Sequence, residues 1–111
     1  MAASKPSAIS PDARALERVR EVVRRALGPH RAEVYLFGSW ARGTQRPTSD
    51  IDLAIQTPEP LPPGVLAAVR EALEESTVPY RVDVVDLAET DLAFRERVRR
   101  EGILWIASGS A

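Results

Sequence analysis

The sequence has no cysteine and a single histidine. The first absence excludes a disulfide scaffold, thiolate metal sites and cysteine nucleophiles. The second excludes His-rich metal sites and leaves little from which to build a Ser-His-Asp triad. Surplus basic charge is missing as well: 15 Lys+Arg stand against 16 Asp+Glu, a formal net charge of −1. Proteins that bind nucleic acid non-specifically normally carry a large basic excess, so direct nucleic-acid binding is not expected. No apolar run approaches the length of a membrane span, and Met1 to Pro11 lacks the apolar core of a signal peptide. A soluble, cytoplasmic chain is the expectation. Lysine is scarce too, Lys5 standing alone beside fourteen arginines, a bias that says little about function.

What remains well supplied is carboxylate, on a chain of 111 residues. That length suits one domain, and a domain of this size buries roughly 65% of its unfolded surface without needing staples. Residues 1–9 and 107–111 are small, polar and aperiodic, and are expected to be disordered tails around a domain spanning 10–106. Ser10-Pro11-Asp12 orders a capping serine, a proline at the first helical position and an acidic first turn. Leu16, Val19, Val22, Val23, Ala26 and Leu27 follow at helical spacing until Gly28-Pro29 stops the helix. Ala32 to Phe37 predicts a buried strand, Ser39 to Gly43 a turn or two of helix, and Asp50 to Ile55 a second strand. A proline-rich loop (Pro58 to Pro63) leads to an amphipathic helix from about Val65. A third strand is expected over Tyr80 to Leu87, a charged helix over Thr90 to Glu101, and an edge strand over Ile103 to Ile106. Strand and helix patterns alternate, which predicts a small α/β (α+β) domain, with a mixed sheet packed against helices on one side.

Three features fall at or beside strand ends. Gly38-Ser39 sits at a strand-to-helix junction, where glycine permits close approach of a ligand and the helix start offers free N–H groups. Asp50-Ile51-Asp52 places two carboxylates on one face of a strand and Ile51 on the other. Aligned carboxylates beside apolar residues repel and resist desolvation unless a cation lies between them, and oxygen ligands of this kind suit magnesium. Asp83 lies between Val82 and Val84, an expensive place for an unpaired charge. Asp86 has the opposite parity and reads instead as the cap of the turn at Leu87-Ala88. Taken singly, Gly-Ser turns and D-x-D pairs are also common for purely conformational reasons.

Their order and spacing narrow the choice. Phe37-Gly38-Ser39-Trp40-Ala41-Arg42-Gly43, then Ser49-Asp50-Ile51-Asp52-Leu53, sets ten residues between Gly-Ser and D-x-D, and Arg81-Val82-Asp83-Val84-Val85 follows on a later strand. This resembles the nucleotidyltransferase superfamily that includes DNA polymerase β, and within it the minimal nucleotidyltransferases. The resemblance runs from about Val34 to Leu87, with a similar closing segment from Phe94 to Trp105. It implies the nucleotidyltransferase fold and two Mg²⁺ ions held by Asp50, Asp52 and Asp83, with Asp83 also activating the attacking hydroxyl. It further implies that Gly38 and Ser39 cradle the phosphates of ATP. Arg42 is a candidate phosphate contact, because a guanidinium can grip phosphate oxygens bidentately, and a surface arginine is its plain alternative. Trp40 departs from the basic residue that many relatives carry there, so packing or a partner contact is expected of it.

Ser49 is a candidate for orienting Asp50, Tyr35 and Tyr80 read as strand packing, and His30 as a solvated turn residue. Larger superfamily members present the acceptor on an additional domain for which this sequence has no room, so the acceptor is expected on another chain. Minimal nucleotidyltransferases typically pair with a helical HEPN-domain protein in toxin–antitoxin systems and transfer AMP to a tyrosine of the toxin. The resemblance thus implies a protein adenylyltransferase acting as antitoxin. Transfer to a small-molecule hydroxyl such as an aminoglycoside, and non-catalytic occlusion of the partner, are the alternatives.

Overall fold

The computed structural model describes residues 11–108. The expected tail over 1–9, the Ser10 cap and residues 109–111 lie outside that span. The chain runs through α1 (Pro11–Leu27), β1 (Ala32–Phe37), α2 (Ser39–Arg42), β2 (Ile51–Gln56), α3 (Val65–Glu74), β3 (Val82–Asp86), a 3-10 turn (Leu87–Glu89), α4 (Leu92–Glu101) and β4 (Ile103–Ser108). The four strands form one sheet in the order β3-β2-β1-β4. Strand β1 is antiparallel to both β2 and β4, whereas β2 and β3 are parallel. A parallel pair cannot be closed by a hairpin, and α3 supplies the crossover it needs. The expected mixed sheet is therefore present.

Alternation along the strands sorts the side chains between two faces. One face carries Val34 and Leu36 of β1 with Ile51, Leu53 and Ile55 of β2, covered by Val19, Val23 and Leu27 of α1 and by Val69 and Leu73 of α3. The other face carries Tyr35, Phe37 and Ala54, covered by Phe94 and Val98 of α4 and by Leu87. Helices thus lie on both faces, which corrects the expectation of helices on one side. The reason is that Tyr35, Phe37 and Ala54 would otherwise leave an apolar patch bare. Ala54 is small, so two apolar side chains of an otherwise charged helix are enough to cover it, and its pattern concealed that role.

Several boundaries shift by small amounts. The second strand begins at Ile51, and the third spans Val82–Asp86 inside the broader apolar run. The Asp86 carboxylate accepts from the Ala88 amide at 3.0 Å, capping the turn as expected. Asp91 starts α4 by accepting from the Phe94 amide at 2.8 Å. Strand β4 runs past Ile106, pairing Ala107 with Glu33 and Ser108 with Ala32. Those two residues were expected in a tail. The ladder uses backbone groups, so small polar residues extend it wherever β1 still offers a partner. No helix among the described residues is long and apolar enough to cross a membrane.

Leu53, with 0% exposure, lies at the centre of the larger core, whereas Leu92 on α4 is 59% exposed. Leu53→Ala is expected to cost about 2–5 kcal/mol of folding stability and Leu92→Ala no more than about 0.5 kcal/mol, as read by urea titration.

Candidate active site

Strand register brings the predicted residues together. Asp52 of β2 is the direct partner of Asp83 on β3, and on its other side of Phe37 on β1. Directly opposed residues share a face, so Asp52, Asp83 and Phe37 all point to the α4 side of the sheet. Asp50 immediately precedes β2 and falls on the same parity as Asp52, with the fully buried Ile51 pointing the other way. Because β3 is an edge strand, Asp52 and Asp83 open into a surface groove of about 700 Å³ that Tyr80, Arg81 and Arg70 also line. On the far side of that edge, an Arg70 guanidinium N–H donates to the Val84 carbonyl at 2.8 Å and so closes part of the bare strand edge.

The turn after β1 fits closely against this pair. Gly38 holds φ at +76°, a region that L side chains rarely adopt. A Cβ there would collide with Oδ2 of Asp52. Glycine is therefore required twice over, by the backbone angle and by the approach of the carboxylate. Short helix α2 begins at once, with the Ala41 and Arg42 amides donating to the Gly38 carbonyl at 3.1 and 3.2 Å. The amides of Ser39 and Trp40 stand at the helix start, where no carbonyl four residues back is in helical register to accept from them. Arg42 is exposed and lines a hollow beside Gly38.

Trp40 ties the site to the core. It is 5% exposed, its indole N–H donates to the Ser49 carbonyl at 3.3 Å, and its ring meets Tyr80 edge-on at 4.9 Å. The Tyr80 hydroxyl donates to Asp12 of α1 at 2.9 Å, and Gln45 donates to the same carboxylate at 3.0 Å. The hydrogen bond to Asp12 pushes the Tyr80 phenol above its usual range. These contacts pin both ends of the 44–49 loop and thereby set where Asp50 leaves it. Packing, one of the two expectations for Trp40, is what the structure shows. Ser49 does not hold Asp50. Its hydroxyl accepts from the Arg46 amide at 2.9 Å, closing its own turn, a local bond that a short hydroxyl side chain makes readily.

Electrostatically the site is strained toward a cation. Partial burial raises the Asp52 carboxyl above the usual carboxylate range, and the charges of Asp83 and then Asp50 raise it further. Arg81 draws Asp83 outward, with Nε 3.5 Å from Oδ1, in an exposed ion pair that water screens. Among the described residues no group of three acidic or histidine side chains converges tightly enough to form a finished cage. The donor set itself, all carboxylate oxygen on one face of a sheet, matches the hard oxygen ligands that magnesium takes.

With that geometry in place, a family model described as polymerase beta, nucleotidyltransferase matches residues 29–108. The chain belongs to this family. A Haemophilus influenzae protein named "Probable protein adenylyltransferase MntA" is 43% identical over 67 residues, which span 60% of this chain and 59% of that protein. The matched region is thus less than two thirds of that relative's length. A solved minimal nucleotidyltransferase structure superposes with a TM-score of 0.68 at 31% identity, covering 88% of this chain and 98% of the other. A toxin–antitoxin crystal structure with AMP-PNP superposes with a TM-score of 0.64 at 29% identity, covering 80% and 71%. The nucleotidyltransferase fold expected from the Gly-Ser and D-x-D spacing is the one observed. Sequence reasoning missed Tyr80 as the partner of Trp40, since a strand tyrosine gives no sign of what its ring meets.

The burden on Asp52 has a signed consequence. Its carboxyl pKa is raised in the folded state, so the folded protein binds that proton more tightly than the unfolded chain does. Ionised Asp52 therefore lowers stability at neutral pH, and stability is regained as pH falls through the raised carboxyl range. Asp52→Asn is expected to melt above the wild type at pH 7 in a chelating buffer. That advantage should shrink as the pH is lowered toward the ordinary carboxylate range, and melting curves across pH check both points.

Proposed function

We propose that the protein transfers AMP from ATP to a hydroxyl, a tyrosine of a HEPN-type toxin, and acts in this way as the toxin's antitoxin. The observation that carries the reading is the register pairing of Asp52 with Asp83 on one face, closed against Gly38. It is supported by family membership, by a relative named as a protein adenylyltransferase, and by the likeness to a toxin–antitoxin structure with AMP-PNP. The groove along β3 is open rather than enclosed, which suits a side chain presented by another macromolecule. A cytoplasmic location, where ATP is abundant, belongs to the same reading.

In this mechanism Gly38 and Ser39 bind the triphosphate through backbone N–H groups, and Arg42 adds a charged contact. Asp50, Asp52 and Asp83 are the residues that would hold two magnesium ions, which when bound supply charge stabilisation at the attacking and leaving oxygens. Asp83 lies at the open edge, nearest an incoming acceptor, and its carboxylate takes the hydroxyl proton. The acceptor oxygen then forms its bond to the α-phosphorus while the bond to the bridging oxygen breaks. Pyrophosphate leaves with that electron pair. The part-buried network of Trp40, Tyr80 and Asp12 keeps the Gly38 turn and Asp50 in fixed relation throughout.

Incubating the protein with the product of its adjacent gene, labelled ATP and magnesium is expected to place AMP on a tyrosine of that neighbour. Asp50→Ala combined with Asp52→Ala should reduce labelling by at least about 10²-fold. An unlabelled neighbour, or labelling that survives the double substitution, would contradict the proposal.

A further inference from the structure

Arg97 has no part in the site as described so far. It lies on α4 and lines a hollow of about 420 Å³ with Phe37, Gly38, Arg42, Val98 and Glu101. Phe37 is the register partner of Asp52, so this hollow lies on the carboxylate face of the sheet, one strand inward from β2. Gly38 belongs to both places, since its Cα packs on Asp52 while it lines the hollow. Two arginines therefore line the hollow beside the turn at which the proposed function seats the triphosphate.

Three features suit Arg97 to an anion there. Its guanidinium carbon sits 5.5 Å from the Phe94 ring centroid, and Phe94 in turn meets Phe37 edge-on at 5.7 Å. A long arginine stem is costly to order, and resting its head on a fixed ring removes part of that cost before a ligand arrives. Neither Arg42 nor Arg97 forms an ion pair among the described residues, so both charges are available. Glu101 is the carboxylate that lines the hollow, and it is engaged by Arg100 at 3.8 Å.

We propose that Arg97, opposite Arg42, grips the β- and γ-phosphates of the nucleoside triphosphate and holds the pyrophosphate as it departs. The proposal rests on the nucleotidyl-transfer reading and adds to it a residue from α4. When the bond from the α-phosphorus to the bridging oxygen breaks, its electron pair stays on the pyrophosphate. A planar guanidinium meets that growing charge with paired donors. Helix α4 therefore does more than cover Ala54, because it presents a phosphate contact from the face opposite the larger core.

The test is equilibrium binding of AMP-PNP and of AMP to the full chain with magnesium, alongside melting curves. Arg97→Ala is expected to weaken AMP-PNP binding by about 10- to 100-fold and AMP binding by less than about twofold, because AMP lacks the two outer phosphates. Arg97→Gln keeps a stem over Phe94 and should show the same selective loss, while Arg97→Lys should retain part of the affinity. Arg99→Ala, on the side of α4 that bonds Gln56, should match the wild type. Undiminished AMP-PNP binding by Arg97→Gln, or equal loss of AMP and AMP-PNP, would overturn the assignment. Failure of the folded wild type to bind AMP-PNP would instead overturn the nucleotidyl-transfer reading itself, and this assignment with it.

Discussion

The alignment of Asp52 with Asp83 across the parallel β2–β3 pair is the constraint around which the site is arranged. A slip of one residue in that register would send Asp52 to the face packed by α1 and α3 and Ile51 or Leu53 to the groove, a double penalty. The larger core prevents it. Ile51, Leu53 and Ile55 are each at most 1% exposed, and they lock β2 with Asp52 pointing away from them. Burial on one face thus forces two like charges together on the other.

That forced proximity would be a defect in a protein that merely had to fold. Asp52 carries the burden of partial burial and of two acidic neighbours, and Gly38 is held at positive φ so that the backbone can close against it. Trp40, wedged between Tyr80 and the carbonyl of Ser49, keeps the loop from relaxing. Local arrangements of this kind persist when the surrounding structure over-determines them, and they concentrate where chemistry needs them. Family membership gives the arrangement its chemical context, since the nucleotidyl transfer proposed for it would bring polyanionic phosphate and its cations to this cluster of oxygen ligands.

Much of this was legible in the sequence because its signals are local. Gly38-Ser39, Asp50-x-Asp52 and Asp83 announce themselves by residue type and spacing, and alternation alone assigns Asp83 and Asp86 to opposite faces. The helix stripes of α1 and α3 mark the larger core directly. What could not be read depends on contacts between segments distant in sequence. Nothing in a charged run such as Leu92 to Glu101 shows that Phe94 and Val98 cover Tyr35, Phe37 and Ala54, or that Arg97 therefore comes to lie near Gly38. Ser49 stands beside Asp50 in the chain, yet its hydroxyl accepts from the Arg46 amide across its own turn, a contact that adjacency to Asp50 does not announce. Ala107 and Ser108 have no strand propensity to speak of, and only the length of β1 recruits them.

The central claim is that the paired aspartates form a cation site rather than a tolerated electrostatic flaw. The most direct measurement is titration of the metal-free protein with Mn²⁺, followed by the paramagnetic signal of the free ion, for the wild type, Asp52→Asn and Asp83→Asn. The account predicts saturable Mn²⁺ binding by the wild type that either substitution weakens at least about tenfold. Equal binding by all three folded proteins, or none by the wild type with nucleotide present, would contradict it.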